Sequence, residues 1–294
     1  MKANTGYTGR RHRLSPFDFV VYGSMFFSLF VCIIPFLYMI ALSFSDAVEI
    51  LNNRVGLWPR GFNVEAYRVI FNFPNFFLAY RNTLLYTSFG TTIALTCTIL
   101  FAYPLSKPFL KGRKFLIKMV IFSMFFSGGL IPTFLLIANL HLIHTPLAII
   151  LPFAIVPFNL IIMVSFLKGI PSEIEEAAII DGLGYYGILV RIVLPLSTAA
   201  MATIGLYYAV FFWNDWFNAL IFLRSRQFPV MLLLRNIVAG TMMVGEGAGS
   251  AEGASLGIAI KAAVIIVSTL PIIVLYPLLQ RFFIAGLTVG SVKG

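Results

Sequence analysis

Runs of about twenty consecutive apolar residues recur along the chain, each long enough to cross a bilayer hydrocarbon core about 30 Å thick. No other feature of the sequence limits its fold as severely. Of the 294 residues, 60% are hydrophobic and only 11% charged, and the mean hydropathy is +0.94. A soluble domain carries about 45–50% apolar and about 25% charged residues. Lipid is therefore the solvent that fits, and the fold class expected is an all-α integral membrane protein with about six transmembrane helices.

The runs place the spans at roughly Phe19–Phe44, Asn82–Leu105, Met119–Asn139, Pro146–Leu167, Leu196–Leu223 and Gly257–Leu279. Residues 1–18 form an N-terminal segment, 19–281 the six-span domain, and 282–294 a C-terminal tail. Between the first two spans, Ser45 to Arg81 has mixed polarity and predicts one or two short helices at the membrane surface. The second span carries six threonines (Thr83, Thr87, Thr91, Thr92, Thr96, Thr98), which suit helix–helix contact better than lipid contact. Ser127-Gly128-Gly129 and Pro132 predict a bend or a close approach in the third span. Arg224 to Leu256 reads as a loop ending in the small-residue tract Gly245–Gly253. Cys32 and Cys97 lie mid-span and behave as small hydrophobes rather than a disulfide. The first span is too long for the core of a cleavable signal peptide.

The net charge of +10 invites a nucleic-acid reading, but the basic residues sit in short runs beside apolar spans. Arg10-Arg11-His12-Arg13 and Lys111-Gly112-Arg113-Lys114 are examples. That placement encodes membrane orientation. The face bearing the termini, the loop Lys107–Lys118 and the segment Lys168–Pro195 holds thirteen Lys/Arg. The opposite face holds seven: Arg54, Arg60, Arg68, Arg81, Arg224, Arg226 and Arg235. Both termini, and with them residues 168–195, are expected to be cytoplasmic, in a multi-pass membrane protein.

Residues 171–195 stand apart. Ser172 reads as an N-cap, and Glu173, Glu175 and Glu176 lie in the first turn, where the helix dipole favours negative charge. Ala177, Ala178, Ile179 and Ile180 continue the helix, and Gly182 and Gly184 end it. A short amphipathic helix with acids at its start and small residues at its centre can dock in a groove on a soluble partner, or simply lie as a surface helix between two spans.

The run Glu176-Ala177-Ala178, then Asp181-Gly182, then Leu194-Pro195 resembles the EAA motif of ABC importer permeases in order and spacing. The resemblance extends over nearly the whole chain. The span layout, Trp213-Asn214-Asp215 and the tail Gly286–Gly294 look like the second, smaller permease of the maltose-permease-like carbohydrate-uptake family. This resemblance implies the ABC type I importer permease fold, with Glu175, Glu176, Ala177, Ala178, Asp181, Gly182, Leu194 and Pro195 on a coupling helix gripped by an ATPase. It implies a second homologous permease, two ATP-binding ATPase subunits, an extracytoplasmic solute-binding protein and an oligosaccharide substrate. ATP and Mg would be held by the ATPase subunits and no cofactor by this chain. It further implies that the tail, through Thr288, Gly290, Lys293 and Gly294, reaches between the ATPases, where the residues alone equally suit a frayed end. The loop at Gly245, Glu246, Gly247 and Gly249 would likewise enter the binding protein, although a plain linker has the same composition. Within the family the chain looks closer to permeases for acidic oligosaccharides, such as those derived from alginate or pectin, than to the maltose type. The seven arginines opposite the termini would suit an acidic substrate or an acidic binding protein.

Trp213, Asn214, Asp215 and Trp216 combine rings, an amide and a carboxylate inside a span. They suit a carbohydrate path, or an interfacial aromatic belt with Asp215 paired to a neighbour. Lys261 reads as snorkelling, and Asn139, His141 and His144 as structural. The sequence has no HExxH, CxxC or glycine-rich phosphate loop, so neither a metal nor a nucleotide site is expected. An enzyme would need paired acids, a nucleophile with its base, or metal ligands in the spans, and these are missing. An ion-coupled secondary transporter would need several deep ionisable residues and often an internal repeat. Only Asp215 approaches that requirement.

Overall fold

The computed structural model describes the backbone of residues 16–247 and 251–290, and side chains over 17–240, 255–275 and 277. Among the described residues every regular element is helical. The order is α1 (Pro16–Ser43), α2 (Ala47–Leu51), α3 (Glu65–Phe71), α4 (Phe76–Ser106), α5 (Arg113–Phe125), α6 (Leu130–Asn139) and α7 (Leu147–Ile150). There follow α8 (Pro157–Lys168), α9 (Ser172–Ile180), α10 (Tyr185–Ile188), α11 (Leu194–Leu196), α12 (Thr198–Asn214), α13 (Trp216–Phe222), α14 (Val230–Gly247) and α15 (Ala251–Gly290). Among the described residues three helices are long and apolar enough to cross a membrane, or up to six if each bent pair counts as one span.

The chain forms two compact units. One comprises the described residues of Met1–Tyr67 with Gly245–Ile266. There α1 is nearly all exposed apolar surface until its last turns, where Ala41 and Leu42 are buried. The segment that follows folds back on itself. The Asn63 N–H bonds the Phe44 carbonyl at 2.9 Å, and Phe44 stacks between Phe62 and Tyr67. Burial pushes the Tyr67 phenol above its ordinary pKa, partly offset by its hydrogen bond with Ser43.

The other unit comprises the described residues of Arg68–Val244 with Val267–Gly294 and is organised around α4, which packs against α12 and α8. The buried residues Phe76, Ala79, Thr83, Tyr86, Gly90, Ala94, Thr98 and Ala102 recur every three or four positions and form one helix face. A Cβ on Gly90 would lie 2.9 Å from the Phe212 ring, so glycine is what lets α12 approach. Thr98 and Tyr208 share a 2.7 Å hydrogen bond, and the Tyr208 hydroxyl accepts the Val156 N–H at 3.0 Å. The expectation of an interior threonine-rich helix holds for the face bearing Thr83 and Thr98, whereas Thr92 and Thr96 point out of the chain.

Several boundaries differ from those read in the sequence. Asn75, with φ +64 after Pro74, starts α4 six residues before Asn82. The third apolar run bends where Ser127-Gly128-Gly129 predicts, but as two helices, α5 and α6, whose axes turn by 115°. The fourth turns by 47° before Pro157. In the fifth, α12 bends by 81° from the preceding helices. It then ends at Asn214, because Asp215 caps α13 instead. The segment read as the loop Arg224–Leu256 contains α14. Its buried Val230, Leu232, Leu233, Leu234 and Ile237 oppose exposed Arg235 and Asn236, a helical pattern adjoining the glycine tract.

Candidate functional site

Helix α9 carries the motif. Pro171, extended at φ −58 and ψ 135, delivers the chain into it, and Ser172 is its first helical residue with no side-chain cap, not the N-cap the sequence suggested. Proline's fixed φ sets the entry without a capping hydroxyl. At the other end the Gly182 N–H bonds the Ile179 carbonyl and the Leu183 N–H bonds the Ala178 carbonyl, at 3.0 and 2.9 Å. This is a Schellman turn, and Gly182 takes the left-handed conformation it needs, at φ +82.

The helix presents Glu173, Glu176, Ala177 and Ile180 along one exposed face, with Ile180 86% exposed. Acid, small residue and exposed isoleucine thus share one uncovered surface of α9. Ala178 is the one buried residue of α9. Glu175 turns the other way and pairs with Lys107, at the end of α4. A cavity of about 680 Å³ runs alongside, lined by Lys107, Phe109, Glu173, Glu175, Glu176 and Tyr185 among others. The predicted set thus divides. Glu176, Ala177, Asp181 and Gly182 are exposed, Glu175 and Ala178 face inward, and Leu194 and Pro195 begin α11 just before the bend at Ser197. Lys107 was indistinguishable in sequence from its neighbours in a basic loop.

The four residues proposed for a carbohydrate path have separate partners. Trp213 is buried and its indole N–H donates to the Ser268 carbonyl at 3.1 Å. Asn214 bonds back to the Val210 carbonyl. Asp215 is 8% exposed; its Oδ1 accepts the Asn218 N–H and side-chain amide, and its Oδ2 has no partner among the described residues. The Trp216 ring lies 4.2 Å beneath the Arg235 guanidinium, a cation–π contact. Trp213 borders a groove of about 400 Å³ with a mostly apolar lining, Leu84, Val210, Pro271, Ile272 and Leu275 among others, and Thr87, Ser88, Thr91 and Thr92 of α4 along one side. Thr83 and Thr92 bond back to the carbonyls four residues earlier, whereas Thr87 and Thr91 do not.

The Asn82 end of α4 holds a loop. Asn82 donates to the Arg226 and Phe228 carbonyls, Tyr86 to the Gln227 carbonyl, and Thr83 accepts the Val230 N–H at 2.7 Å. Gln227 in turn donates to the His144 carbonyl. Arg81, Arg224 and Arg226 are exposed here, with no carboxylate partner among the described residues. Thr288 and Gly290 fall in the last turn of α15, and Lys293 and Gly294 lie outside the described residues. Gly245, Glu246 and Gly247 end α14, and Gly249 lies outside the described residues. No group of three or more His, Cys, Asp or Glu suited to a metal occurs among the described residues.

Known proteins match this arrangement. The chain is 42% identical over 266 residues to protein LplC of Bacillus subtilis, covering 90% of each chain. It is 41% identical over 284 residues to the polygalacturonan/rhamnogalacturonan transport system permease protein YtcP of the same organism, covering 95% of this chain and 98% of that one. Among solved structures it matches a bacterial ABC transporter involved in the import of the acidic polysaccharide alginate. That match has a TM-score of 0.79 and 29% identity, and covers 92% of this chain and 99% of the other. No protein-family model matches. The helical order, the turn at α9 and these similarities agree: the chain belongs to the integral membrane permeases of sugar ABC transporters.

Proposed function

We propose that this chain is one of two permeases of a binding-protein-dependent importer that moves acidic oligosaccharides into the cytoplasm. Two partner ATPase subunits hold ATP and Mg and drive the cycle; the chain performs no chemistry and binds no cofactor. The observation that carries the reading is the exposed face of α9, with Glu173, Glu176, Ala177 and Ile180 offered outward between two apolar elements. A helix with only one buried residue is a poor stabiliser of its own chain and a good handle for another. The thirteen-to-seven distribution of Lys/Arg supports cytoplasmic termini and, with them, an α9 on the side where ATPases would act.

The acidic substrate is supported from two directions. Two of the similar proteins handle polygalacturonan/rhamnogalacturonan and alginate, by their names. The exposed arginines at the Asn82 end of α4 would face the incoming solute and attract carboxylates. The mostly apolar groove beside Trp213, edged by Ser88 and Thr92 of α4, would lie along the path. Thr288, Gly290, Lys293 and Gly294 would touch the ATPases, and the segment at Gly245–Gly249 the binding protein.

The test is affinity purification of the tagged chain with its candidate ATPase. Glu176→Lys is expected to abolish co-purification, whereas retention of the ATPase at the wild-type level would contradict the reading.

A further inference from the structure

The side chains of Lys107 and Glu175 are 12% and 14% exposed, an ion pair more buried than either residue type normally is. Lys107 Nζ also lies 4.5 Å from the centroid of the Tyr103 ring. The ammonium is therefore held between a carboxylate and an aromatic face. Its backbone is fixed as well, because the Lys107 N–H bonds the Pro104 carbonyl in the last turn of α4 at 3.1 Å.

Helix α9 has little else to hold it. One of its nine residues is buried, and its C-terminal turn is closed by its own backbone. Lys107–Glu175 is the one side-chain polar link between α9 and α4 among the described residues. Helix α4 is 31 residues long, or roughly 46 Å at 1.5 Å per residue. Its far end grips residues 226–230 through Asn82, Thr83 and Tyr86.

We infer that Lys107 is a positioning residue of the coupling apparatus: by pinning Glu175 it makes α9 and α4 move together, so a displacement of α9 reaches the 226–230 loop. This rests on the reading of α9 as the ATPase contact. A neutral residue at either position leaves α9 free to rock on its alanine face while α4 stays still. Glu175 thereby differs in role from Glu173 and Glu176, which stay exposed for a partner.

The experiment uses the complete transporter in proteoliposomes, with its partner permease, ATPases and binding protein. The readout is ATP hydrolysis with loaded binding protein divided by hydrolysis without it. Lys107→Gln is expected to retain the ATPase on purification yet lower that ratio about fivefold or more, within the usual range of coupling effects. Exchanging the charges, Lys107→Glu with Glu175→Lys, is expected to restore at least about half of it. If Lys107→Gln does not assemble, Lys107→Met with Glu175→Gln removes both charges without stranding one, and the same fall is expected. A wild-type ratio in Lys107→Gln or in the neutral pair overturns the inference, as does a charge exchange no better than the single variant. Glu176→Lys run in parallel separates the two readings. If it too retains ATPase and ratio, the coupling role of α9 has failed. If it loses the ATPase while the Lys107 variants keep the ratio, only the role of Lys107 has failed.

Discussion

The hydroxyl of Tyr208 on α12 lies 2.7 Å from that of Thr98 on α4, both side chains fully buried. The same phenol oxygen receives the Val156 N–H just before α8, so one atom joins three elements. In a low-dielectric interior each such bond matters chiefly because the partner left behind has no water to turn to.

Tyr208→Phe should therefore destabilise the permease by about 1–3 kcal/mol, the cost of orphaned buried polar groups. Thr98→Val should cost less, because Tyr208 keeps its bond from Val156. Thermal unfolding of the detergent-purified protein measures both, and the order of the two midpoints is the discriminating result.

The contact of Gly90 with Phe212 makes a second prediction. Gly90→Ala inserts a methyl where only 2.9 Å separates the Cβ position from the ring. Overpacking of this kind costs about 1–3 kcal/mol. Adding Phe212→Leu should recover part of the lost stability, whereas Phe212→Leu alone should lower it. The four-way comparison of unfolding midpoints checks this.

Much of the architecture was legible because lipid imposes a strong rule on sequence. Apolar length alone located α1, α4 and the apolar part of α15, and the acid-small-glycine order of Glu176–Gly182 located α9 with its terminating turn. What escaped depended on contacts across the chain. Asp215 reads as a path residue or as an acid paired to a neighbour, and nothing local shows that its Oδ1 caps α13. The apolar run 119–139 announces a bend in Gly128 and Gly129, but not that it reaches 115°. Helix α14 was hidden by its proximity to a glycine-rich tract. Lys107 has no local feature that separates it from Lys111 or Lys114; only the fold brings Glu175, 68 residues away, to its ammonium.

Gly182 supports a third prediction. A Cβ there meets nothing within 4 Å, so the penalty of Gly182→Ala is purely the φ of +82, about 1–2 kcal/mol for an L-residue. Gly182→Asn should be milder, because asparagine tolerates the left-handed region. Binding-protein-stimulated ATP hydrolysis in the assembled transporter should rank wild type, Asn, then Ala. An equal effect of the two substitutions would point to a steric role instead.

Arg224 and Arg226 support a fourth. Both are exposed on a loop fixed by Asn82 and Tyr86. Replacing both with glutamine should raise the KM for uptake of an acidic oligosaccharide several-fold, with a smaller change in kcat. Raising ionic strength from about 0.01 to about 0.15 M, which shortens the Debye length from about 30 to about 8 Å, should narrow the difference between wild type and variant. A neutral oligosaccharide transported by the same system should show neither effect.

The central claim is that this chain moves sugar only when α9 is driven by ATPase subunits. The most direct measurement is uptake of a labelled uronate oligosaccharide into proteoliposomes, comparing this chain alone under a proton or sodium gradient with the full assembly given ATP. Uptake is expected in the full assembly with internal ATP and none by the chain alone. Gradient-driven uptake by the chain alone would contradict this and would put Asp215, whose Oδ2 has no partner among the described residues, at the centre of the mechanism.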